Sequence, residues 1–120
     1  MATVKTQKPR TATSRKIRSL QTRYGFTQPD IGRLSGYAPR SIANWLAGSK
    51  VTQPARQKFT ELDRLLSALE SLVKDPGELA AWLDEPNKAF DGSTPLQVIE
   101  RGEGDRLWHM IYFLESGQPG

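Results

Sequence analysis

The chain has 120 residues, 17 Lys and Arg against 13 Asp and Glu, a formal net charge of +4 and no cysteine. That length buries a working core as one domain or as two small helical modules, and the lack of cysteine excludes disulfides and thiolate metal sites. No apolar run approaches the roughly 20 residues that span a bilayer, and the charged N-terminus has no apolar stretch behind it, so a soluble, cytoplasmic protein without a secretory signal is expected.

The net charge hides an asymmetry. Residues 1–60 hold twelve basic side chains and one acid, Asp30, a balance of +11, whereas residues 61–120 hold five basic and twelve acidic ones, a balance of −7. A half at +11 is an electrostatic footprint for nucleic-acid phosphates, and the acidic half would be repelled from the same surface. Two functions on one chain is the natural reading.

Residues 1–13, MATVKTQKPRTAT, are polar and basic without an apolar period, which predicts a disordered tail. Lys5, Lys8 and Arg10 either follow a DNA backbone or minor groove or are simply solvated. Ser14 is placed to cap a first helix carrying Ile17, Leu20 and Tyr24 at i, i+3, i+7, and Gly25 ends it. Arg15, Lys16, Arg18 and Arg23 fall off that stripe.

Thr27 to Gly48, TQPDIGRLSGYAPRSIANWLAG, reads as two short helices joined at Gly36. Thr27 caps the first, and Asp30 suits the positive end of its dipole. Pro29 falls in the first turn, and Ile31 and Leu34 share a face. Pro39 pre-sets the first turn of the next helix and Gly48 ends it. Ile42, Trp45 and Leu46 make its buried stripe, leaving Arg40, Ser41 and Asn44 outside. That is the pattern of a helix-turn-helix whose second helix enters a major groove. An ordinary helical hairpin would show the same stripes, but the charge of this half argues against it.

The spacing of Gly32, Gly36, Ile42 and Trp45 resembles the Xre-type, phage-repressor-like helix-turn-helix. One position departs: the usual Ser or Thr cap before the recognition helix is Ala38, worth about 1 kcal/mol of capping. The resemblance implies a double-stranded DNA operator. Arg40 is the candidate base contact, bidentate to guanine, with Asn44 reading adenine or a phosphate. Gln28 and Ser41 are candidate phosphate contacts that set register, Pro39 belongs to the same surface, and Lys50 adds sequence-independent affinity. A dimer would place two recognition helices about 34 Å apart on a palindromic operator.

Thr52 and Pro54 start the longest helix, which runs to about Lys74. Phe59, Leu62, Leu66, Leu69 and Val73 form a seam over two heptads, widened by Leu65 and Leu72, too short for a self-standing coiled coil. The seam packs onto neighbouring helices, with a share in a dimer interface left open. Asp75-Pro76-Gly77-Glu78 starts another helix burying Leu79, Trp82 and Leu83, and Pro86 stops it. PNKAFDGSTP is a turn-rich connection. Thr94 and Gln97 form a capping box for a short helix holding Leu96, Val98 and Ile99, ending near Gly102. In the last helix Leu107, Met110, Ile111 and Leu114 share one face, with Trp108 and Tyr112 on an adjoining one, as core or as interface. No strand is evident, and the predicted fold is all-α: tail 1–13, helix-turn-helix 14–54, connecting helix 55–74, helical domain 75–117, tail 118–120.

Trp82-Leu83, Pro86-Asn87, Phe90, Gly92, Pro95-Leu96, Gly102-Glu103 and the final amphipathic helix resemble the toxin-binding domain of the Xre/MbcA/ParS antitoxin family. The resemblance covers residues 14–117 once the upstream helix-turn-helix is included. It implies a type II antitoxin that silences a toxin and represses its own operon. The toxins paired with this family carry the RES domain and consume NAD. The antitoxin's C-terminal region covers their cleft, which makes Arg106, His109, Phe113, Glu115 and Ser116 the candidate toxin-binding residues, in a homodimer or a larger assembly with toxin. Phe90-Asp91 departs from the family's small or aliphatic residue followed by glycine. Some members act as regulators without a toxin, so a stand-alone Xre-family repressor is the alternative.

No catalytic or metal site is expected and no cofactor is implied. His109 is the only histidine, which makes zinc improbable. Ser116, His109 and Asp105 lack the strained turn of a nucleophile. Glu100, Glu103 and Asp105 read as a solvated face around a helix cap. Gly102-Glu103-Gly104 lacks the lysine and strand of a phosphate loop.

Overall fold

Thr11, not Ser14, opens the first helix. The computed structural model describes residues 11–117, and among these it contains seven α-helices, one short 3₁₀ turn and no strand. In α1 (Ala12–Tyr24) the Thr11 hydroxyl accepts from the Ser14 amide at 2.9 Å. Ser14 lies inside the helix and is buried, donating its hydroxyl to the Trp45 carbonyl at 3.1 Å. A hydroxyl taken out of water must find a partner, and this one ties α1 to the third helix. Most of the tail expected over residues 1–13 lies outside the described residues; Ala12 and Thr13 are helical.

The chain divides into two compact units, one ending at Asp63 and the other beginning at Arg64, so the boundary falls inside α4 (Gln53–Val73). In the first unit, α2 (Gln28–Ser35) begins with a capping box in which the Asp30 amide donates to the Thr27 hydroxyl at 3.2 Å and the Thr27 amide to the Asp30 carboxylate at 3.0 Å. Gly36, at φ 82°, turns the chain into α3 (Pro39–Leu46). A Cβ at Gly32 would stand 2.9 Å from the Tyr37 carbonyl oxygen, so only glycine lets the turn fold back this closely. Ile17, Leu20, Ile31, Leu34 and Ile42 are all at most 3% exposed and form the core of this unit. Trp45 meets Tyr37 edge-on at 5.1 Å and Phe59 at 6.1 Å, which fixes α3 against the start of α4. Phe26 and Val51, assigned no core role above, are buried as well.

The second unit follows its start signals closely. Asp75 accepts from the Gly77 amide at 2.9 Å to begin α5 (Pro76–Leu83). Asn87 accepts from the Ala89 amide at 2.9 Å and opens the 3₁₀ turn Lys88–Phe90 within the turn-rich connection. Thr94 and Gln97 exchange both bonds of a capping box ahead of α6 (Pro95–Glu100), at 3.0 and 2.8 Å. α6 packs on α7 (Gly104–Ser116) and on α5, around Leu66, Leu79, Leu83, Val98, Leu107 and Ile111.

Two assignments on apolar faces are corrected. Trp82 is only half-buried, and Leu114, assigned to the core face of α7, is 53% exposed. Leu114 walls an open groove with Leu72, Val73 and Trp82, so its face meets a cleft rather than close-packed side chains.

Candidate functional site

Each unit presents one candidate surface. In the first, the stripe Ile42, Trp45 and Leu46 anchors α3 and turns Arg40, Ser41 and Asn44 to its opposite side. Pro39, Arg40 and Asn44 are exposed and Ser41 is half-buried. Lys50 is exposed on the loop after α3, and Gln28 is half-buried at the start of α2. α1 and α2 are capped by Thr11 and Thr27, and the Thr52 hydroxyl accepts from the Ala55 amide at 3.4 Å in the first turn of α4. Ala38 gives α3 no side-chain cap. Tyr37, which fixes α3 from the turn, was missed by sequence reasoning because no helical period includes a turn residue.

In the second unit the surface is built around Arg106. Its guanidinium donates to the Glu103 carboxylate at 3.1 Å, lies 3.8 Å from that of Asp91 and stands 5.4 Å from the centre of the Phe90 ring. The hydrogen bond from Arg106 holds the Glu103 carboxyl below the usual carboxylate range, and Arg101, 3.4 Å away, adds to it. Glu103 is therefore tied to two arginines rather than forming a simply solvated face. Asp91 takes φ 57° in the left-handed region, so the turn is kept without glycine.

Arg106, His109 and Phe113 recur at i, i+3, i+7 and line one open groove of about 440 Å³ with Ala89, Phe90 and Met110. Glu115 and Ser116 are exposed beyond it, and Ser116 donates its hydroxyl to the Phe113 carbonyl at 2.8 Å. Three of the five expected toxin-binding residues thus share a groove and two do not. At the end of α7, Tyr112, read as core or interface, and Phe113, expected at the toxin surface, are 62 and 45% exposed, and Leu114, assigned to the core face, is 53% exposed. Sequence reasoning missed a second groove of about 300 Å³ walled by Leu72, Val73, Trp82, Met110 and Leu114, with Asn87 as its polar lining residue. Met110 lies between the two grooves and lines both. Among the described residues no cluster of His, Asp or Glu could hold a metal ion, and no helix is long and apolar enough to cross a membrane.

The fold is that of a known antitoxin system. It matches a chain in the crystal structure of the M. tuberculosis MbcT–MbcA toxin–antitoxin complex with a TM-score of 0.73 and 25% identity, over 92% of this chain and 100% of that one. Residues 68–107 match the antitoxin Xre/MbcA/ParS C-terminal toxin-binding domain. The mycobacterial cidal antitoxin MbcA of Mycobacterium tuberculosis and that of Mycobacterium bovis are each 31% identical over 97 residues, 79% of this chain and 84% of theirs. The chain belongs to the Xre/MbcA/ParS antitoxin family.

Proposed function

We propose that this protein binds and neutralises a cognate toxin of the RES class through its second unit and represses its own operon through its first. It acts by binding, not by catalysis, in the cytoplasm. The observation that carries the toxin reading is the exposed Phe113 ring, which lines one groove with the held Arg106. An exposed aromatic ring next to a held guanidinium is the composition of a protein-binding hot spot. Arg106, His109 and Phe113 form the occluding face, with Glu115 and Ser116 extending it.

The repressor reading is supported by the helix-turn-helix and by the charge balance of +11 over residues 1–60. Arg40 and Asn44 read bases in a palindromic operator, Gln28, Ser41 and Lys50 meet phosphates around the turn set by Pro39, and a homodimer supplies the two half-sites. Co-expression with the product of the adjacent gene tests the whole reading. Co-purification on a tag carried by this chain, with rescue of growth, is the expected result. Operator binding without any such partner would make the protein a stand-alone repressor.

A further inference from the structure

The groove on the α4–α5 side of α7 is not used by the occluding face. Its walls are apolar, from Leu72, Val73, Trp82, Met110 and Leu114. Val73 and Trp82 continue into an adjoining depression of about 420 Å³, which Glu78 and Glu85 line from the start and just past the end of α5. Residues 70–85 contain five acids and a single base, Lys74. The groove is therefore an apolar channel with an acidic edge.

That edge decides what it fits. A second copy seated two-fold on the same groove would bring the same carboxylates against these, and residues 61–120 already carry a balance of −7. Like charges brought together disfavour such a pairing, while an apolar stripe flanked by Lys or Arg satisfies both the walls and the edge. We infer that the toxin seats a helix with an apolar face and a basic edge in this groove, apart from the occluding face around Arg106. The inference rests on the toxin-binding reading above and divides it in two: the α4–α5 groove anchors the toxin, and the Arg106–Phe113 face blocks it.

The test uses the full chain and the purified product of the adjacent toxin gene, with affinity measured by calorimetry at two salt concentrations. Glu78 and Glu85 are exposed, so the Glu78→Gln, Glu85→Gln double variant removes both charges without burying a group or placing a cation at the start of α5. It should lose at least about tenfold in affinity, with the wild-type salt dependence reduced. Trp82→Ala should lose more, about thirtyfold or beyond. Because that change removes a half-buried ring, amide exchange on the wild-type complex supplies a readout free of folding artefacts. Amides of α5 should be slowed by toxin. Unchanged affinity of the charge variant together with unchanged α5 exchange would overturn the groove assignment while leaving the toxin reading in place. No binding by the wild-type chain would overturn both. Tighter self-association of the charge variant, with toxin affinity kept, would make the groove a contact between copies and overturn the inference.

Discussion

Arg40 and Ser41 begin a helix whose buried side is fully committed, so their outward direction is set by Ile42 and Trp45 rather than by their own contacts. Arg40→Ala should therefore weaken operator binding by roughly 1–3 kcal/mol while binding to unrelated DNA changes little. Competition titrations with both DNAs check this; equal loss on each would make Arg40 a phosphate contact. At the other end of the chain, Glu103 has a carboxyl held low by Arg106. Its contribution to stability is present above the ordinary carboxylate range and is lost as the pH falls through the lowered value. Melting curves of wild type and Glu103→Gln should differ at neutral pH and converge in acid. Asp91, in the left-handed region at φ 57°, makes only a long, exposed contact to Arg106. Asp91→Gly should raise stability by about 0.5–1 kcal/mol in denaturant titration.

At the scale of elements, what could be read from the sequence followed its punctuation. Thr27 with Asp30, Asp75 with Pro76, and Thr94 with Gln97 mark helix starts through side-chain chemistry local to three residues, and the structure contains each of these caps. Thr11 and Ser14 show where that logic stops. Both have cap chemistry, and only the burial of Ser14 against Trp45 decides between them. Trp82 and Leu114 fail for a related reason. Periodicity assigns a face to a helix, but whether neighbouring side chains close over it depends on packing, and Trp82 and Leu114 both line an open groove. The Arg106, His109 and Phe113 groove was legible as a helical period; the groove at Trp82 was not, because its walls come from three separate helices. Phe113→Ala should keep α7 folded, since the ring is 45% exposed, and weaken toxin neutralisation by about 2 kcal/mol or more. Growth rescue and toxin affinity measured beside operator binding separate the effects; loss of operator binding as well would mean a folding defect.

For the whole molecule, charge is the property no single element carries. The proposed binding of DNA by the basic half should fall with salt, with a slope of about 0.9 per phosphate neutralised. Deleting residues 1–10 removes Lys5, Lys8 and Arg10, and should lower the slope of log affinity against log salt by up to about 2.7 on the same count. An unchanged slope would show that these three charges stay away from the DNA.

The uncovered end of α7 bears on the behaviour of the chain in bulk solution. Exposed apolar side chains such as Tyr112, Phe113 and Leu114 are those through which protein molecules stick to one another. The half that carries these side chains has a negative balance, so two such halves repel one another in dilute buffer. Added salt weakens that repulsion as the Debye length shortens to about 3 Å at 1 M, and contact through the end of α7 becomes easier.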